Sequence, residues 1–397
     1  MFKNPLEKNI TYFYIARLFW LPMFWMPVIY IYLVQNKGFS PIEAFFLMSV
    51  QEAALIFLEV PTGVVADRIS RKFSVALGYF LTALPFVFLP WANAFWLVFL
   101  IFVVKAVGKA LMSGAQQALL YDTLVELKRT SEYKIIMTKT KAFMLVFSSL
   151  CLLIGGLLAQ WGHIEWTMVL PFPVMALGGI ATYMSIEPAV SLNAKKLQET
   201  TYLKHSWASL TYILKTPAVF IMAVIFAIND ATQVNLKWFY PSVFEKLGFS
   251  FALMGVTTAI IYFIKGVLSG VSLPMMSKNA MKNIVTYMPL VAIGFLVPML
   301  WFHPLIVVLA LLVINLGTEL MDSSIEEELN DGIESRDRAT VMSIVALFGS
   351  VLATMMLWIF GYIQTVGSVQ GSLGFVGLLF MVGTYVSFRA SKMKVRL

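Results

Sequence analysis

Charge is scarce in this sequence. Asp, Glu, Lys and Arg make up 13% of the 397 residues, against roughly 25% in soluble domains, and that shortage excludes an ordinary water-soluble globule. Cysteine is nearly absent: Cys151 stands alone, so no intramolecular disulfide can form. Three histidines beside it assemble no zinc or redox constellation, and no metal is expected. A phosphate loop of the form G-x-x-x-x-G-K-[ST] does not occur, nor does a nucleophile with a base, so neither ATP-driven work nor enzyme chemistry is expected. What is plentiful is apolar surface, with 59% hydrophobic residues. A hydrocarbon core about 30 Å thick needs about 20 apolar residues per helix, so this length with short loops accommodates about a dozen crossings. The net charge of +8 is sorted by loop instead of massed in one patch, which points to a lipid bilayer as partner and not to nucleic acid. Met1 to Asn9 is polar and basic with no small-residue cleavage site, so the first apolar run is expected to stay as a span.

Apolar runs between polar or Gly/Pro breaks predict an all-α integral membrane protein of twelve transmembrane helices, near 10–35, 42–66, 73–91, 94–124, 140–161, 164–186, 217–241, 250–275, 281–301, 304–328, 339–363 and 370–390. The longest polar stretch, Glu187 to Thr216, divides them. The expected organisation is an N-terminal six-helix bundle over 1–188, a cytoplasmic linker over 189–215 and a C-terminal bundle over 216–397. With a cytoplasmic N-terminus, Lys3, Lys8, the basic turn near 70, Lys128 to Lys141, the linker lysines, Lys278, Lys282, Arg336, Arg338 and Arg389 to Arg396 all face the cytoplasm. Only Lys37 and Lys246 fall in outer loops. That bias places both termini in the cytoplasm of a multi-pass protein of the cell membrane.

Between the second and third runs, Glu59 to Lys72 reads EVPTGVVADRISRK, with Gly63, Asp67, Arg68, Arg71 and Lys72 on the spacing G-x-x-x-D-R-x-x-R-K. This turn resembles the signature loop of the major facilitator superfamily, departing from it at Ser70, where the family usually has Gly. SGAQQALLYDTL (Ser113 to Leu124) and RATVMSI (Arg338 to Ile344) are similar to segments common in the same family. Gly270, Lys278 and Lys282 echo the signature turn in the second half, with Pro274 in place of the acid. The resemblance implies two related six-helix bundles, and a gating role for Asp67, Arg71 and Asp122 in holding the inward-closed state. Cys151 and Leu152 stand where antiporters of the family carry a Gly-Pro pair, and Lys105 lies about one turn from the level of their buried Arg.

Ionisable groups at helix centres cost at least about 2.5 kcal/mol each on insertion scales, so each asks for a partner or a hydrated cavity. Arg17, Glu52, Glu59, Lys105 and Lys109 fall inside spans of the first half; Asp230, Lys237, Lys265, Glu319 and Asp322 do so in the second. Counting about 1.5 Å per residue sets Glu52 level with Lys105 and Lys109, Arg17 level with Glu59, and Asp230, Lys265 and Glu319 together near mid-depth. Asp230, Glu319 and Glu52 are the candidate proton-coupling acids. Lys105, Lys109, Lys265, Asp322, Arg17 and Trp25 are the candidate substrate contacts. The same groups can instead be fixed ion pairs holding helices together. Aromatic residues crowd the first helix (Tyr12, Tyr14, Trp20, Trp25, Tyr30, Tyr32) and the outer end of the seventh (Trp238, Phe239, Tyr240), as interfacial belts and packing or as cavity lining. Pro22 and Pro27 are expected to loosen the first helix, and Pro241 to end the seventh.

The leading functional expectation is a monomeric secondary transporter. It exports an amphipathic organic compound by alternating access, driven by the proton gradient with no bound cofactor. Proton-coupled uptake of a small polar or zwitterionic solute is the alternative within transport. A non-transporting receptor or scaffold on the same fold is the alternative of another class.

Overall fold

In hydrocarbon every backbone N–H and C=O must be satisfied within the chain, so long uncharged runs close into helices. The computed structural model describes residues 4–68, 70–189, 211–271, 279–331 and 338–392; within these, side chains including those of 59–60, 63–68, 326 and 338–340 lie outside the description. Among the described residues there is no strand, and eleven helical segments are long and apolar enough to cross a membrane. The expected linker falls largely outside the described residues, as do Glu59, Gly63, Asp67 and Arg68 as side chains and Lys278 and Arg336 altogether.

The chain packs as two compact units. The first comprises Met1–Phe39, Val50–Leu197 and Ser250–Gly270. It holds α1 (Glu7–Leu18), most of α2 (Pro41–Arg68), α3 (Arg71–Val87), α4 (Phe95–Met112), α5 (Ala115–Glu126), α6 (Tyr133–Gln160), α7 (Pro171–Tyr183) and nearly all of α9 (Phe251–Val271). The second comprises Ser40–Ser49, Gln198–Phe249 and Val271–Leu397. It holds α8 (Pro217–Lys246), α10 (Ala280–Leu300), α11 (Pro304–Asp331), α12 (Arg338–Val366) and α13 (Val369–Lys392), together with the first turns of α2. Small residues let helices of the first unit meet backbone to backbone: a Cβ added at Gly156 of α6 would lie 2.6 Å from the Cα of Gly255 in α9.

The first expected span is interrupted. α1 stops at Leu18, the chain runs irregularly past Pro22 and Pro27, and helix resumes only as a short turn at Ile29–Ile31 that passes into a π turn at Tyr32–Asn36. Proline removes a donor and disfavours helix in the residue before it. The backbone freed by this break is buried in protein and partly re-satisfied, as irregular chain at membrane depth requires. Ser148 Oγ donates to the Leu21 carbonyl at 2.6 Å, the Phe24 carbonyl lies directly on Gly155, and Met23, Phe24, Trp25 and Met26 are all buried.

Two further expectations are corrected. The fourth run is not one helix: it breaks between α4 and α5 at Gly114, whose φ of +68° lies in the left-handed region that glycine enters without strain. Pro241 does not end the seventh helix, since α8 continues to Lys246. Trp238, Phe239, Tyr240, Val243 and Phe244 are each 1% exposed or less, and this packing carries the helix across the missing hydrogen bond. That aromatic run is therefore core. In the first unit Trp91, Trp96, Trp161 and Trp166 are all well exposed near the ends of α3, α4, α6 and α7 remote from Ser70 and Lys72, which is where an interfacial belt would fall.

Candidate functional site

In the first unit, α4 presents two lysines one turn apart, at positions that share a face. Lys109 Nζ meets both carboxylate oxygens of Glu52 at 3.0 Å, and Gln51 Nε2 donates to the same carboxylate at 2.9 Å. The Glu52 side chain is 3% exposed and that of Lys109 28%, so the acid is locked in while the base keeps an open side. Lys105 is buried, with its ammonium 4.3 Å from the Trp25 ring centre and 3.9 Å from that of Phe86; the two rings meet edge to face at 5.7 Å. Cation–π attraction of this kind strengthens when the ammonium is desolvated. The structure thus brings together Glu52, Lys105, Lys109 and Trp25, four of the residues singled out from sequence. The irregular stretch after α1 is what delivers Trp25 to Lys105.

Arg17, on α1, stands over the Trp20 ring at 5.1 Å, and its buried Nε has no hydrogen-bond partner among the described residues. Beside it Tyr79 OH donates to the Ala16 carbonyl at 2.6 Å and accepts from Gln116 Nε2 at 3.0 Å. The cavity under α1, α5 and α7, lined in part by Asn9, Gln116, Thr123 and Ser185, measures about 20 Å³. It is sized for water, far below the roughly 300 Å³ at which small-molecule pockets begin.

The second unit supplies a more polar interior. Asn229 Nδ2 of α8 donates to the Thr318 carbonyl of α11 at 3.2 Å, and Asn235 Nδ2 to the Ala353 carbonyl of α12 at 2.9 Å. Asn315 of α11 bonds to Tyr240 OH and to its own helix at Leu311 O, 2.8 Å. Glu319, one turn beyond Asn315, is buried. Asp230 follows Asn229 on α8 and lays its carboxylate against Gly349 of α12, leaving no room for a Cβ there. Asp322 lies half-buried further along α11, and Lys265, expected at the level of Asp230 and Glu319, is a half-buried residue of α9 in the first unit.

At the signature turn, Arg71 Nη1 donates to Asp122 Oδ2, joining α3 to α5 within the first unit. The sequence reading missed the group that organises this end. Glu187 accepts from Ser70 Oγ at 2.7 Å and from the backbone N–H groups of Arg71 and Lys72 at 2.9 and 3.1 Å, a carboxylate seated on the free donors of a helix N-terminus. Lys72 Nζ donates back to the Ser185 carbonyl at 3.1 Å. Asn9 clamps the same segment, exchanging hydrogen bonds of 2.8 Å with Ile186 in both directions and reaching Thr123 at 3.1 Å. Ser70 is thus the N-cap of α3. The available signal was an acid beside a proline at the end of an apolar run, in Ile186-Glu187-Pro188.

Comparison with known proteins follows the same lines. Residues 13–355 match the family model described as Major Facilitator Superfamily. The uncharacterised MFS-type transporter YxaM of Bacillus subtilis (strain 168) is 23% identical over 288 residues, 68% of this chain and 69% of that protein. A solved structure of the nucleoside transporter NupG superposes with a TM-score of 0.73 at 12% identity, covering 98% of this chain and 99% of the other. A D-xylose–proton symporter gives 0.75 at 12% identity, covering 96% and 97%. A POT family transporter in complex with 5-aminolevulinic acid gives 0.71 at 15% identity, covering 99% and 98%. At such identities the likeness to these structures is one of fold.

Proposed function

Because the chain belongs to the major facilitator superfamily, and is a secondary transporter and not an enzyme, we propose that it exports an amphipathic organic compound in exchange for protons. It acts as a monomer in the cell membrane with both termini cytoplasmic, and the proton gradient is its energy source. The six-helix halves over 1–188 and 216–397 alternate access through the linker at 189–215. The observation that carries the reading is the Glu52–Lys109 pair: a carboxylate almost wholly buried inside a span, with both oxygens on one ammonium at 3.0 Å. A proton delivered to Glu52 cancels the attraction and frees Lys109 on its exposed side, so protonation and side-chain movement are tied. One turn away, the Lys105, Trp25 and Phe86 cluster offers a cationic and aromatic surface suited to a molecule with apolar and polar parts. Asp230 and Glu319 are the further coupling acids, with Asp322, Lys265 and Arg17 as substrate contacts.

Uptake of a small polar or zwitterionic solute is the second reading, favoured by the asparagine-rich interior around Glu319 and Tyr240. Flux of a substrate panel in proteoliposomes with an imposed pH gradient separates the two by direction. In the same assay Glu52→Gln is expected to lower proton-driven flux at least tenfold while gradient-free exchange of substrate persists. Undiminished proton-driven flux in that variant would remove Glu52 from coupling.

A further inference from the structure

The membrane-facing side of the second unit carries two grooves that transport leaves unused, one on each flank of α13. Between α10 and α13 an apolar groove of about 480 Å³ is lined by Val285, Pro289, Ile293, Leu296 and Met381, among others. Between α8 and α13 a second, of about 310 Å³, is lined by Phe220, Ile221, Val224, Val386 and Arg389. Tyr385 belongs to both. The first groove extends from Val285 to Leu296, about 16 Å at 1.5 Å per residue, which is the depth of one leaflet of a core about 30 Å thick. Arg389, which lines the second groove, stands near the close of α13, with Lys282 near the start of α10 and Lys215 before α8, all exposed. Arg389 Nε donates to Tyr385 OH at 3.0 Å, and its guanidinium lies 5.5 Å from that ring centre. This fixes the planar fork over the ridge between the grooves, with its Nη groups left for an acceptor.

We propose that this ridge binds an anionic phospholipid, its two acyl chains straddling Tyr385, one in each groove, and its phosphate on Arg389. Hydrocarbon solvent fills any membrane-facing groove; what selects an anionic lipid here is the oriented guanidinium, with lysines near the starts of the neighbouring helices α8 and α10. A tyrosine with an apolar body and a polar tip suits the headgroup boundary.

The test uses the full chain in mixed micelles holding equal amounts of phosphatidylglycerol and phosphatidylcholine, with retained lipid counted by native mass spectrometry. The wild type is expected to keep phosphatidylglycerol in preference, and Arg389→Gln to lower its retention about fivefold, the worth of one basic residue near an anionic surface, with phosphatidylcholine unchanged. Ile293→Trp, which fills the larger groove, is expected to lower retention of the anionic lipid with Arg389 intact. In the wild type alone the preference should weaken as salt rises. Equal retention of the two lipids, a preference indifferent to salt, or an unchanged count in Arg389→Gln overturns the proposal. So does displacement of the lipid by inorganic phosphate well beyond that caused by sodium chloride at the same ionic strength, which would mark a headgroup-only anion site.

Discussion

Lys105 and Lys109 lie one turn apart on α4, and their surroundings make them different groups. Lys109 neutralises a buried acid; Lys105 rests on two aromatic faces. Removing the ammonium of Lys109 takes the bidentate cation from Glu52 and leaves Gln51 on the carboxylate; breaking a fully buried pair costs about 3–5 kcal/mol, reduced here because Lys109 is 28% exposed. Lys109→Met should therefore lower Tm in detergent by several degrees, and adding Glu52→Gln should restore part of the loss. A double variant no more stable than Lys109→Met would show that the two side chains do not couple. The depth arithmetic that set Glu52 level with these lysines anticipates the pair with Lys109, because both residues lie on regular helix; the same arithmetic set Lys265 with Asp230 and Glu319, which fall in the other unit. Tyr79, Gln116 and Asn9 were invisible to it. They are uncharged, common residues whose partners Ala16, Thr123 and Ile186 are brought close only by packing.

Helix α3 begins where the signature turn meets Glu187. Two backbone N–H groups and the Ser70 hydroxyl converge on one carboxylate, and hydrogen bonds to a charged group contribute about 1.5–3 kcal/mol. Glu187→Ala should cost about 1–3 kcal/mol by thermal melting, and Glu187→Gln less, since its amide oxygen still accepts. No loss in the alanine variant would mean that water caps the helix equally well. The twelve apolar runs foretold the helices because a span needs length and little else. Their interruptions were harder to place. Pro22 and Pro27 marked the break after α1, where two prolines five residues apart leave too few bonds to continue. Gly114 gave no warning, since a lone glycine is ordinary in membrane helices, and Pro241 misled because the density of aromatic packing around it is a tertiary property.

At the scale of the whole molecule, the grouping of α9 with the first unit and of Ser40–Ser49 with the second could not be read from hydropathy. It rests on contacts such as Gly156 on Gly255 and Ile42 on Gly361. The sorting of lysine and arginine among loops implies an orientation with both termini in the cytoplasm, and that orientation is open to a direct check. With Cys151 replaced by serine, single cysteines at Lys37 or Lys246 should react with an impermeant maleimide added to intact cells, and cysteines at Lys72 or Lys282 only after lysis; the reverse pattern would invert the topology. The exposed tryptophans of the first unit then acquire an optical meaning. Trp91, Trp96, Trp161 and Trp166 stand together at one face, while Trp20 and Trp25 are sheltered among the helices. The unit's own fluorescence is thereby weighted toward a single bilayer boundary, a built-in gauge of lipid order and quencher access on that side with no added dye.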